Sequence, residues 1–449
     1  MNSNQPQRQE TGDRRQGTDN ELQASSPKSL APSAMVFAPK PENDFAQYIR
    51  TYYDECRYRF DGIEAIAGKW MFRDLIPGMS DFDTRFIVRD DMTPEDWCRM
   101  STAIGEAHLA LCEKYPCWAR NLEHLPGINL TWSELTSERT YYPEYQQWSF
   151  YDTEYPDKVR AAQEWFARRP WDAKDEYFHL KKFCLYYGRY DRAIDPAINL
   201  GVHQNKYPLH SRIMHYFTPP VHSAVCLLEK QNIAGKFEAH EIAERHFPTL
   251  RCWDLIREIL HANYEIPKWY QEPFVSELED ELEEALKVIA ARLRKVITLV
   301  PKEAGTDVAA WKEALNKVPM DPALILFEHA KFCRLMKGRL RFYAHAPVRF
   351  DTTWLIQNEL KRIGRMFFRV PFSTYWAIKT GEKVEDPTTI LDQLRGDVLT
   401  DAEVEATKEF ARLTPGYWEE GKERDIALAI VEVFDEFFKA LTKISEAVS

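Results

Sequence analysis

Two aspartates one residue apart, Asp81 and Asp83, are the side chains of this sequence best placed to do chemistry. They follow the turn Pro77-Gly78-Met79-Ser80 and precede the apolar run Phe86-Ile87-Val88. On an extended chain successive side chains alternate, so both carboxylates take one face and Phe82 takes the other. Carboxylates about 7 Å apart along a strand can converge on a hard cation. Mg²⁺ is the cation of choice, because it keeps some waters and completes its shell with one or two carboxylates and substrate phosphates. Such metals hold the attacking and leaving oxygens in phosphoryl transfer. An Asp-x-Asp alone is a common solvated turn. Three features set this one apart: the glycine-bounded strand Gly62 to Gly68 (GIEAIAG) upstream, the Gly-x-Ser turn that delivers the first acid, and the apolar strand that leaves at once.

The segment Ala67 to Val88 (AGKWMFRDLIPGMSDFDTRFIV) resembles the nucleotidyltransferase superfamily with a polymerase-beta-like fold, and most nearly its aminoglycoside-type small-molecule adenylyltransferases. That family carries a strand, Gly-Ser, a spacer of roughly ten residues, and Asp-x-Asp on the next strand. Gly68 matches the glycine, Ser80-Asp81-Phe82-Asp83 matches the acid motif, and Lys69 stands where the family has serine. A lysine there could charge-stabilise the triphosphate or fill its pocket. Residues 209–240 resemble the helical domain of the same enzymes, with Gly235, Lys236 and Ala239 in the matching positions. The resemblance implies that Gly68, Lys69, Ser80 and Lys236 border the nucleotide and that Asp81 and Asp83 bind Mg²⁺. It also implies a third acid on a later strand. Glu134, Asp152 and Glu123 are the candidates, and Glu134 is preferred because a carboxylate late in an apolar strand needs a partner. The alternative for Lys236 is a solvated lysine after a helix-ending Gly235.

The elements that must position these residues are legible in part. Apolar and aromatic residues from Phe45 to Phe60 sit at helical spacing. Gly62 to Gly68 and Asp83 to Val88 read as strands. Thr93-Pro94-Glu95-Asp96 is a helix start, with threonine as N-cap and proline at the first helical position, and the helix runs to about Lys114. Ile128 to Leu135 alternates and reads as a third strand, and Gln147 to Tyr151 as a fourth. From Pro156 the periodicity is helical, clearest at Leu278, Leu282, Leu286, Ile289, Leu293 and again at Ile426, Ile430, Val433, Phe437, Leu441, Ile444. The expected fold class is α+β: a small mixed-sheet nucleotidyltransferase module over 44–155, then a large all-helical region. That region divides into 156–300, which completes the cleft, and 308–449, of unknown role, with 301–307 as a linker. Residues 1–40 are polar and expected to form a disordered tail.

Composition narrows the classes further. The chain has 449 residues, 44% hydrophobic, with a net charge of −11. It is long enough for two or three domains with cores of their own. No run is apolar enough to span a membrane and the start has no signal-peptide core, so a cytoplasmic protein is expected. The acidic balance and the lack of a basic stripe disfavour nucleic acid as partner and suit a small-molecule acceptor. The eight cysteines form no CxxC pair and read as reduced core thiols. His203, His210, His215, His222 and His240 follow no metal-ligand spacing and are expected to pack or hydrogen-bond. The function expected is Mg²⁺-dependent transfer of a nucleoside monophosphate, AMP above all, from a nucleoside triphosphate to a hydroxyl of a small molecule. The alternatives are an inactive nucleotide-binding or scaffold protein on the same fold, or a transferase acting on protein or nucleic acid.

Overall fold

Local signals and tertiary packing agree best at the start of the second long helix. Thr93 Oγ1 accepts from the Asp96 N–H at 3.1 Å, while Asp96 Oδ2 accepts from the Thr93 N–H at 3.2 Å. This reciprocal capping box satisfies two end amides and launches α2, Pro94–Lys114. The preceding helix α1, Phe45–Arg59, buries Tyr48, Ile49, Tyr52, Tyr53 and Cys56 along one face. The computed structural model describes residues 45–69, 74, 82–118, 122, 125–187, 212–257, 276–347 and 352–448. Ser80, Asp81, Glu123, His203, His210 and the tail 1–40 lie outside the described residues.

Four strands form a mixed sheet in the order β3-β2-β1-β4. The strands are β1 (Ile63–Gly68), β2 (Thr84–Val88), β3 (Asn129–Thr131) and β4 (Ser149–Thr153). β1 is central and antiparallel to both β2 and β4, with Ile66 opposite Phe86 and Gly68 opposite both Thr84 and Ser149. β3 runs parallel to β2. Both faces of β1 and β2 are covered, which is why these strands read as nearly unbroken apolar runs.

The expected strand over 128–135 is corrected. It stops at Thr131 and turns into a short helix α3, Trp132–Leu135. The reason is local: Thr131 and Glu134 form a second capping box, with Thr131 Oγ1 accepting from the Glu134 N–H and the Glu134 carboxylate accepting from the Thr131 N–H at 2.9 Å. Satisfied end amides outweigh an alternating pattern of only a few residues. The fourth strand likewise starts at Ser149, because Pro143–Gln147 winds into a 3₁₀ turn.

Two large cores follow. In the first, α1, α2 and one sheet face pack with helices from the end of the chain: α10 (Pro322–Cys333), α11 (Met336–His345), α12 (Thr353–Leu360), α13 (Val370–Thr380), α14 (Asp401–Leu413) and α15 (Glu423–Glu446). The second core joins α5 (Ala173–Tyr186), α6 (Thr218–Glu229), α7 (Lys236–His246), α8 (Ser276–Leu293) and α9 (Val308–Leu315). The opposite sheet face is closed by Val159 and Ala162 of α4 (Pro156–Arg168). The architecture is α+β, dominated by helices, and its C-terminal helices share a core with the sheet rather than standing apart. The α2–α11 crossing is close enough that a Cβ on Gly338 would lie 1.9 Å from the Ser101 carbonyl oxygen. Ser101 Oγ accepts from the Gly338 N–H there, at 2.9 Å.

Candidate functional site

At the glycine end of β1 the register places three chain segments side by side. Gly68 lies between Thr84, at the start of β2, and Ser149, at the start of β4, and the Lys69 N–H donates to the Asp83 carbonyl at 3.3 Å. A side chain at position 68 would collide with Tyr151, whose hydroxyl would lie 2.0 Å from the added Cβ. Phe82 turns into the core, with its ring 5.3 Å from that of Tyr48 and 5.4 Å from that of Tyr151. Asp83 stays half-buried at the sheet end, 3.9 Å from the Arg85 guanidinium.

Arg85 organises this end. It is buried on β2, donates to the Thr84 carbonyl at 2.8 Å, and pairs with Glu144 at 3.3 Å. Glu144 also faces Lys69 at 3.8 Å. Burial alone would push the Glu144 carboxyl up, but Lys69, Arg85 and Lys182 override it and bring it down to about 2. Lys69 mirrors this. Burial works against its charge, yet Glu144 and Asp83 outweigh that and raise its pKa. Lys182, on α5, has less compensation. Burial, then the like charge of Lys69, brings it down to about 7, with Glu144 opposing and Lys236 adding to the depression.

Lys236 is the first residue of α7, and Gly235 before it offers no capping side chain. The cap comes from far along the chain. Both oxygens of the fully buried Asp74 accept backbone amides, from Lys236 at 3.0 Å and Phe237 at 3.2 Å. Asp74 lies between Gly68 and Asp83 in sequence, so this contact ties the β1–β2 connection to the helical region. An anion at a helix N-terminus is electrostatically favoured.

Glu134 belongs elsewhere. Both its oxygens are engaged by Arg334, the C-cap of α10, which keeps its carboxyl low despite burial. It lines a cavity of about 310 Å³ with Trp97, Thr131, Phe327 and Arg334, and neither Gly68, Lys69 nor Asp83 is part of that wall. Asp152 is on β4 and pairs with Arg50 at 3.3 Å. Besides Asp83, the described acid facing Lys69 at the Gly68 end is Glu144, in the 3₁₀ turn before β4. Sequence reasoning passed over Glu144, Arg85 and Lys182. One signal existed: an arginine inside the apolar strand TRFIV has to find a carboxylate when buried.

Searched against protein-family models, curated proteins and solved structures, the chain matches none. Among the described residues, no helix is long and apolar enough to cross a membrane.

Proposed function

We propose that the Gly68 end of the sheet binds a Mg²⁺–nucleoside triphosphate and that the protein transfers a nucleoside monophosphate, AMP above all, to a hydroxyl of a small molecule. One observation carries this reading. Lys182 from α5 lies within electrostatic reach of both Lys69, which follows β1, and Lys236 of α7, and Lys69 lies within reach of the Asp83 carboxylate. Three cations and a hard oxygen donor on a glycine-terminated strand suit a polyanion chelated to a divalent metal. A half-buried Asp83 carboxylate at the sheet end is a hard oxygen donor of the kind Mg²⁺ takes, and Glu144 pairs with Lys69 and Arg85. When bound, the metal would neutralise charge on the phosphates. Asp83, with Asp81, would hold it. Lys69 and Lys236 would bind the phosphate oxygens, and the Lys182 ammonium would neutralise charge on the departing pyrophosphate. Glu144 would keep Lys69 and Arg85 oriented. The acceptor hydroxyl oxygen would bond to the α-phosphorus as the bond to the departing pyrophosphate oxygen breaks, and the hydroxyl proton would pass to solvent. Most of the acceleration would come from positioning and electrostatics.

A non-catalytic nucleotide-binding or scaffold role is favoured by a different observation: the Asp74 carboxylate already sits on the α7 N-terminus, where a phosphate would be attracted. The two readings part on chemistry. ATP should raise the melting temperature of the full chain only when Mg²⁺ is present. Pyrophosphate should appear with some member of a hydroxyl-acceptor panel, and Asp83→Asn should cut that release by at least about a hundredfold. Stabilisation that is equal in chelator, or an Asp83→Asn variant as active as wild type, would sink the transferase reading. Metal-dependent binding with no pyrophosphate from any acceptor would leave the scaffold reading standing.

A further inference from the structure

A second constellation lies in the helical core, on residues the proposed transfer does not use. His179 of α5 and His222 and Cys226 of α6 are all buried, and each offers a ligand atom within 4.8 Å of the others. His222 and Cys226 are four residues apart on one helix, so they share a face. His179 meets them because α5 and α6 pack together in the second core.

The hydrogen bonds around the histidines fix which nitrogen carries the proton. His222 Nε2 lies 2.7 Å from the Ile233 carbonyl oxygen, which can only accept. His222 therefore carries its proton on Nε2 and a lone pair on Nδ1. His179 Nε2 lies 2.6 Å from Asn232 Oδ1. The amide of Asn232 is oriented by its own donors, since Nδ2 reaches Gln146 Oε1 at 2.9 Å and Asp175 Oδ1 at 3.1 Å. Its oxygen must face His179, so His179 is also protonated on Nε2. Its Nδ1 lone pair is buried with no hydrogen-bond partner among the described residues. Burial holds both rings neutral, with His179 brought down to about 3 and His222 well below its usual range. Burial pushes the Cys226 thiol up to about 12, and the Ile233 N–H, which donates to Sγ at 3.4 Å, opposes that shift. A histidine whose N–H is held by a carbonyl oxygen has its tautomer fixed, as it is behind metal-bound imidazole.

We propose that His179 Nδ1, His222 Nδ1 and Cys226 Sγ form a three-ligand site for a borderline-soft divalent cation of the Zn²⁺ type. Two imidazoles and a thiolate suit Zn²⁺ and Co²⁺ and do not suit Mg²⁺. A tetrahedral site needs its nitrogens and sulfur about 3.3 to 3.7 Å apart, so ligand atoms within 4.8 Å of one another close by about 1.5 Å at most on binding. The fourth position is left to water or a ligand. Binding breaks one S–H bond at Cys226, forms one metal–sulfur bond, and releases one proton to solvent. The Lys182 ammonium works against a cation here, and the new thiolate offsets it. The site ties α5 to α6 next to Lys182 and stands whether or not the nucleotide reading holds.

The test uses the full-length chain, stripped of metal with chelator and titrated with Co²⁺, then Zn²⁺. One equivalent of Co²⁺ should bind with a thiolate-to-cobalt charge-transfer band and tetrahedral d–d bands, release one proton, and be displaced by Zn²⁺. Cys226→Ser should abolish the charge-transfer band and weaken Co²⁺ binding at least tenfold, while Cys252→Ser, at a buried cysteine outside the cluster, should change neither. Absence of Co²⁺ binding, binding with no thiolate band, or a band that survives in Cys226→Ser would overturn the site. Should Cys226→Ser fail to fold, X-ray absorption on the wild-type Zn²⁺ protein decides: two imidazole nitrogens and one sulfur support the proposal, and an all-oxygen shell refutes it.

Discussion

Replacing Glu144 by glutamine removes one negative charge from a buried cluster while keeping its shape. The wild-type carboxyl is held at about 2, against an ordinary value of 4.5, because Lys69 and Arg85 lie 3.8 and 3.3 Å away. At 1.36 kcal/mol per pH unit that difference is worth about 3.4 kcal/mol of folding stability at pH 6. A carboxyl whose folded pKa is depressed contributes fully above its unfolded pKa and loses the contribution as pH falls through its folded one. The window here is therefore pH 4.5 down to 2. Linkage leaves about 2.6 kcal/mol at pH 4 and about 1.4 kcal/mol at pH 3. Glutamine recovers part of this by accepting from Arg85, so Glu144→Gln should cost about 2 to 3 kcal/mol near neutrality, chiefly by leaving Lys69 and Arg85 without their anion. Urea unfolding of wild type and variant at pH 7, 4 and 3 measures the deficit, which should shrink by about 2 kcal/mol over that range. The same variant, with one anion fewer beside the proposed phosphates, should bind metal-free triphosphate more tightly than wild type. A deficit below about 0.5 kcal/mol at pH 7, or one that is constant down to pH 3, would show that Glu144 does not hold this cluster together.

Lys182→Met should raise the melting temperature of the nucleotide-free protein at pH 7. The folded state holds this lysine at about 7, below its unfolded value of 10.5, so the unfolded chain binds more protons and wild-type stability climbs between pH 7 and 10.5. The variant should flatten that climb and weaken Mg²⁺–ATP binding; an unchanged pH profile would remove Lys182 from the buried cluster. Gly338→Ala should destabilise by about 3 kcal/mol in urea unfolding, because its Cβ would lie 1.9 Å from the Ser101 carbonyl oxygen and the α2–α11 crossing would have to widen. A loss under about 1 kcal/mol would mean the two helices do not cross there so closely.

Elements whose signals are local were readable from the chain alone. The capping box at Thr93 and Asp96, the apolar face of α1, the buried strands flanked by Gly62 and Gly68, and the periodicity of α8 and α15 each depend on interactions within a few residues. Even the error over 128–135 has a local cause, a second capping box at Thr131 and Glu134 hidden beneath an alternating pattern. What lay beyond the sequence was every pairing across a long separation. Lys69 and Glu144, Arg334 and Glu134, Asp74 and the amides of Lys236 and Phe237 are each brought together only when the cores close. Charged side chains look alike in a sequence, since solvent can always satisfy them. Burial removes the solvent and makes each choose a partner, and that choice set Glu144 beside the Gly68 end and sent Glu134 to Arg334. His179, His222 and Cys226 follow the same rule: no spacing marks them, and the packing of α5 on α6 gathers them.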